Sequence, residues 1–255
     1  MTEPQILIEG LPYRSSTFPV ENLCDRLDTI DDNDKTPLDE LLRKFKIEDA
    51  DECNPGFWSL QLLRRILSRD RILDELRNYT DLENAETYVD YIRPENDLLP
   101  ESKTQTYLKI FALLVLSERG MEIENFVKEG LSDQNLPVCR HQGSPKEKFN
   151  LCRKDTPNLR PLKCFEKWKP HGREWFETTQ WQLLVPYFDL SPGYRAKHYP
   201  LDDKAILPWR KRDARSLLSS QSSQNEGGYA SVSCVRIDPS SHGFSDVLKD
   251  VSRSL

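Results

Sequence analysis

The stretch Tyr107 to Leu116 is apolar on almost every side, and its centre, Ile110 to Leu116, is the longest unbroken apolar run in the chain. A helix built from it has no face to give to water, so the rest of a domain must surround it. The run is also far short of the roughly 20 residues a membrane helix needs, which excludes a membrane span there. Leu113 and Leu114 are therefore expected to be fully buried. Gly120 is expected to close this helix in a left-handed conformation. A shorter helix follows, with Ile123, Phe126 and Val127 at i, i+3 and i+4, and Gly130 ends it in the same way. Leu136-Pro137 marks the exit into a loop. This helix pair is the predicted core.

The preceding residues read as further helices. The strongest amphipathic segment runs from Phe57 to Tyr79: Leu62, Leu63, Ile66 and Leu67 share one face, and Ile72, Leu73 and Leu76 another. The two stripes are rotated, so two helices are preferred to one, with Ser68 capping the second. Thr36 is read as the cap of an earlier helix holding Pro37 and Asp39 in its first turn. Residues 1–35 read as an irregular lead-in, broken by Pro4, Pro12 and Pro19. The run Asp31-Asp32-Asn33-Asp34 that ends it lacks the glycine and distal glutamate of a calcium loop and reads as a solvated turn.

Past residue 137 the character changes. Residues 138–164 lose periodicity and read as a linker. Trp168, Trp175, Phe176, Trp181, Leu183, Leu184, Tyr187 and Phe188 then crowd together, and a helix over 172–185 uses most of them before Pro186 ends it. Short extended pieces are expected around His198 to Leu201 and Ala205 to Trp209. A Ser/Gln-rich linker over 210–226 follows.

Composition limits the function classes. The chain has 255 residues, 37% hydrophobic and 31% charged, and a formal net charge of −6. Residues 1–135 hold 16 Lys and Arg against 29 Asp and Glu, while residues 136–255 hold 20 against 13. Such a split suits intramolecular docking, a basic surface for an anionic partner, or simply two solvated surfaces of different composition, which is the reading preferred. A sequence pI near 5.4 argues against nucleic acid. No basic segment precedes Ile6-Leu7-Ile8, so no signal peptide is read there. The six cysteines are accordingly expected to be reduced thiols in an intracellular protein, cytoplasmic or nuclear.

Two constellations invite a chemical reading. Cys139, His141, Cys152 and Cys164 offer metal-ligand types within 26 residues, but no tight Cys-x(2–4)-Cys knuckle is present, so ordinary thiols are preferred and no metal is assigned. A non-kinase enzyme site among Cys139, His141 and Cys152 is the most distant reading. The aromatic cluster, flanked by Lys167, Lys169, Arg173 and Arg195, has base-stacking chemistry, but its helical spacing favours a packing face.

The segment from Gly227 to Ile237 places two glycines before an apolar strand with Val232, Cys234, Val235 and Ile237. Glycines beside a strand let backbone amides approach phosphates. Against G-x-G-x-x-G-x-V, Gly227 matches the second glycine and Val232 the valine, while Asn225 and Ala230 stand at the first and third glycines. A plain hairpin turn fits the same residues. Several blocks lie in a telling order: Phe111 to Leu116, Ile123 to Pro137, Phe165 to Trp168, Gln180 to Phe188, His198-Tyr199-x-Leu201-x-Asp203-x-x-Ile206-Leu207-Pro208, and the Gly-Gly-Tyr stretch with Val235 to Pro239. Across roughly 36–255 this order resembles filamentous-fungal serine/threonine protein kinase-like proteins, in which a long N-terminal region precedes the kinase domain.

That resemblance implies a chain ending just after the Gly-rich loop. No H-R-D or D-F-G motif occurs, and Lys249 is the one candidate for a third-strand lysine, between Asp246 and Asp250, which do not suit a buried strand. The expected fold is mainly α: a helical domain over 36–137, a smaller aromatic-rich α+β segment over 165–209, and a truncated kinase N-lobe hairpin over 227–255, unsupported by the rest of its lobe. The expected function is a regulatory or interaction region with a vestigial nucleotide loop (Gly227, Gly228, Val232), without catalytic or metal residues. ATP and Mg are implied only for a full-length relative, and the partner is an unidentified protein. The alternative is a stand-alone helical interaction module that binds no nucleotide.

Overall fold

The computed structural model describes residues 30, 35–48, 55–79, 84–95, 105–141, 149–154, 160–188, 200–210, 226–227, 230–231 and 236–242. Its centre is the apolar helix. Numbering helices in chain order, these are α1 (Leu38–Lys44), α2 (Leu60–Ile66), α3 (Arg69–Arg77), α4 (Ala85–Ile92), α5 (Leu108–Leu116), α6 (Ile123–Glu129) and α7 (Pro170–Thr179). Every residue of α5 except Lys109 is buried, Leu113 and Leu114 completely. α1 and α2 pack on it from one direction and α6 from another, while α3 and α4 pair with each other. No helix among the described residues is long and apolar enough to cross a membrane.

The ends of α5 show how a helix without polar side chains satisfies its backbone. At the N-terminus, the Asp133 carboxylate accepts bonds from Lys109 N at 3.0 Å, Ile110 N at 3.0 Å and Thr106 Oγ1 at 3.1 Å. A distant residue thus performs the capping that no local side chain supplies. Burial pushes the Asp133 carboxyl up, and Lys109 and the three donors oppose that shift. At the C-terminus Glu118, not Gly120, takes the left-handed conformation, with φ +57°. Its N–H bonds Val115 O at 2.9 Å and Arg119 N bonds Leu114 O at 2.7 Å, the pairing of a Schellman ending. Gly120 has a different duty: a Cβ there would stand 2.2 Å from Tyr79 Oη. Gly130 does end α6 as expected, at φ +63°, with Leu131 N bonding Phe126 O.

Ser59 and Ser68 cap α2 and α3, accepting from Leu62 N and Arg71 N, so the Phe57 to Tyr79 segment is two helices. α1 begins one residue later than expected. Pro37, at ψ 144°, occupies the cap position instead of Thr36, and Asp39 and Glu40 supply negative charge to the first turn. Of the lead-in, Ile30 is buried, and its carbonyl accepts from Arg65 Nη2 at 3.0 Å. The Asp31 to Asp34 run lies outside the described residues.

Within the expected linker at 138–164, described residues including Val138, Phe149, Leu151, Leu162 and Cys164 join the core. Strands β1 (Val138–Arg140) and β2 (Leu151–Arg153) pair antiparallel, with Cys139 opposite Cys152. Val138, Phe149, Leu151 and Cys152 are buried. Both strands have only three residues, too few for an alternating pattern to show in the sequence. Their arginines fasten the hairpin to two helices. Arg153 Nη2 donates to Glu129 O and Gly130 O, both at 2.8 Å, where the free carbonyls of α6 attract a cation. Arg140 Nε donates to Glu177 Oε2 at 2.6 Å and Nη2 to Glu174 Oε1 at 3.0 Å, both acids on α7.

α7 spans Pro170–Thr179, not 172–185, with Pro170 as its first residue, and a 3-10 turn Gln180–Gln182 continues it. The turn faces the Gln180 side chain inward, fully buried, along β1: Val138 N donates to Oε1 and Nε2 donates to Val138 O, each at 2.8 Å. The amide thus serves Val138 as a further strand would. Phe165, Trp168 and Phe176 meet Phe126 of α6 in one aromatic cluster, with ring centroids 4.9–6.4 Å apart. A single hydrophobic cluster runs from Ile30 to Ile206, so the segments 36–137 and 165–209 share one core. The fold is mainly helical, and its sheets among the described residues are three two-stranded antiparallel pairs.

Candidate functional site

The described residues of the glycine stretch pair with each other. β4 (Glu226–Gly227) pairs antiparallel with β5 (Ala230–Ser231), Glu226 opposite Ser231 and Gly227 opposite Ala230. Of the expected nucleotide contacts, Gly227 lies in β4, while Gly228 and Val232 fall outside the described residues. So do Lys249 and most of the Ser/Gln-rich stretch.

Downstream of the glycine pair, residues 236–242 join the rest of the described structure. β3 (Trp209–Arg210) pairs antiparallel with β6 (Arg236–Ile237), Trp209 opposite Ile237 and Arg210 opposite Arg236. Asp238 N adds one more ladder bond, to Pro208 O at 2.8 Å. Asp238 then caps a 3-10 turn, Pro239–Ser241. Its Oδ1 accepts from Ser240 N at 2.9 Å and from Ser240 Oγ, and its Oδ2 lies 3.5 Å from Arg210 Nε. Asp238, Ser240 and Ser241 are all buried. The turn packs on α2, and Phe188 N donates to Ser241 O at 2.8 Å. Burial lowers the affinity of neighbouring His242 for a proton, although Asp238 acts against that shift. Arg210 and Arg236 are thus paired with each other, one on each side of the glycine stretch in the sequence.

The cap could have been read from the sequence: Asp238-Pro239 places a capping side chain before a proline suited to the first turn. What could not be read is that Arg210 and Ser241 find partners far along the chain.

The thiol constellation divides. Cys139 and Cys152 face each other across the β1–β2 hairpin, Sγ to Sγ 3.5 Å, and Cys152 Sγ donates to Cys139 O at 3.4 Å. His141 continues the ladder, its N–H bonding Asn150 O at 2.8 Å. Cys164 is buried in a separate 3-10 turn, Lys163–Phe165. Burial pushes the Cys164 thiol far up and the Cys152 thiol up to about 12, so both stay protonated near neutrality. Among the described residues, no group of three or more His, Cys, Asp or Glu is placed to hold a metal ion.

Trp168 and Phe176 of the aromatic cluster pack in the core with Phe165, whereas Tyr187 is exposed. Phe165, Trp168 and Phe176 are at most 2% exposed, and Trp168 Nε1 donates to Glu122 Oε2 at 2.5 Å while Arg119 covers its ring at 4.6 Å. Phe165, Trp168 and Phe176 offer bases no face on which to stack.

Comparison with models of protein families, with curated proteins and with solved structures finds no match to this chain.

Proposed function

We propose that these residues form the regulatory or interaction region of an intracellular protein kinase-like protein: a helical body that carries a vestigial glycine loop. One observation supports this reading best. Arg210 and Arg236 pair on either side of the glycine stretch, and Gly227 pairs with Ala230 within it. The pairing of Arg210 with Arg236 ties the two flanks of the loop-bearing segment together beside the helical body, so a protein bound to the helices bears on that segment.

The loop is vestigial in chemical terms. Kinase loops work with a third-strand lysine and metal ions that supply the countercharge to phosphate. Here Ala230 replaces the third glycine, and no H-R-D or D-F-G occurs in the 255 residues. These residues are therefore expected to transfer no phosphoryl group from ATP; steady turnover that persists after removal of contaminating kinases would contradict this.

A second reading, an interaction module without nucleotide binding, is favoured by a shallow groove of about 510 Å³. Pro137, Trp181, Leu184, Pro186, Pro200 and Leu201 line much of it, a surface suited to an extended apolar peptide. Titration with Mg-ATP, followed by backbone amide NMR, separates the readings. The first expects weak shifts around Gly227, with affinity near millimolar, about −4 kcal/mol. The second expects no shift at about 10 mM ATP. Micromolar binding that disappears on replacing Gly227 and Gly228 by Val would sink both.

A further inference from the structure

The β1–β2 hairpin holds two thiols in a relation that neither packing nor the glycine loop requires. Cys139 and Cys152 are directly opposite in an antiparallel ladder, which sets Cα atoms about 4.5–5.5 Å apart. That range lies within the roughly 4.4–6.8 Å that a disulfide spans. The sulfurs are already 3.5 Å apart, and the Cys152 thiol is oriented by its bond to Cys139 O. Cys139 is half-buried and open to a reagent, whereas Cys152 is fully buried behind it. One thiol is thus placed to meet an oxidant and the other to resolve the product.

We propose that Cys139 and Cys152 are a redox modification site, a dithiol that a small disulfide such as glutathione disulfide converts to a cross-strand disulfide. The Cys139 thiolate attacks one sulfur of the oxidant, whose S–S bond breaks and releases one glutathione thiolate. Cys152 then loses its proton to solvent, and its sulfur attacks the Cys139 sulfur. The mixed disulfide breaks and the second glutathione leaves. In sum two cysteines are oxidised and one glutathione disulfide is reduced to two glutathiones. Burial holds the Cys152 thiol protonated, so the closing step is slow near neutrality and accelerates about tenfold per pH unit.

The position gives the modification a consequence. Arg140, next to Cys139, holds Glu177 and Glu174 of α7, and Arg153, next to Cys152, holds the carbonyl end of α6. A covalent bond between the strands therefore stiffens the joint between those helices. In reducing surroundings the pair remains open and the joint depends on packing, ion pairs and hydrogen bonds.

The test uses the full chain incubated with excess glutathione disulfide at about pH 8. The expected product is lighter by two hydrogens, yields a peptide cross-linked through Cys139 and Cys152, and melts about 5–10 °C higher. Dithiothreitol should reverse all three changes. Cys139→Ser should abolish the cross-link, and Cys164→Ser should leave it intact. A wild-type chain that stops as a stable glutathione adduct overturns the proposal. So does a cross-link through Cys24, Cys53, Cys164 or Cys234 in place of either thiol. Both readings come from peptide mapping of the wild-type chain and do not depend on how a variant folds.

Discussion

Replacing Phe126 by alanine is expected to cost about 3–5 kcal/mol and to weaken both ends of the fold together. Phe126 belongs to α6, in the part of the chain built around the apolar helix, yet its ring neighbours are Phe165, Trp168 and Phe176. It is fully buried, so truncation leaves a cavity among side chains that cannot all collapse into it. Edge-on ring contacts add about 0.5–1.5 kcal/mol each beyond area burial, which places the loss toward the upper end. Because this ring joins two segments that share one core, denaturant unfolding should stay a single transition in the wild type and the variant. Far-ultraviolet circular dichroism and tryptophan fluorescence should then trace coincident curves. Separate transitions for the helical and the aromatic segments would show that they are independent domains, and the bridging role of Phe126 would have to be given up.

The readable parts of this fold were those in which neighbours along the chain carry the information. The Ser59 and Ser68 caps sit directly before their helices, and the rotation of the stripe between Leu67 and Ile72 reflects the break between them. The apolar run of α5 states its own burial. Elsewhere the deciding partner is remote. The Glu118 ending of α5 was hidden because a nearby glycine, Gly120, offered the cheaper left-handed residue, and only the packing of Tyr79 shows what that glycine is for. Asp133 caps a helix more than twenty residues upstream, which no local pattern announces. In the candidate site the glycine pattern was legible, while the pairing of its flanks was not. β3 and β6 are two residues each, and they pair although far apart in the sequence.

Gln180 is the clearest case of a remote partner, and its removal is expected to have the other large effect. The residue reads as an unremarkable polar position in an aromatic helix, yet its amide satisfies both the N–H and the C=O of Val138, 42 residues away, and also donates to Glu177 O at 2.9 Å. Gln180→Leu keeps the volume and strands those backbone groups away from water. Each orphaned group costs about 1–3 kcal/mol, so a loss of about 2–5 kcal/mol is expected, read as a lower urea midpoint at unchanged slope. Gln180→Glu separates hydrogen bonding from shape. Its carboxylate still accepts from Val138 N but sets a buried negative charge against Val138 O, where the amide had donated. Burial and that carbonyl hold the folded-state pKa above the unfolded value of about 4.3. The deficit relative to wild type is then complete above the folded pKa. It shrinks as pH falls through that value, because the protonated acid regains a donor. A Gln180→Leu variant as stable as wild type, or a Gln180→Glu deficit that does not change on acidification, would mean that the amide is not what secures β1 to the turn after α7.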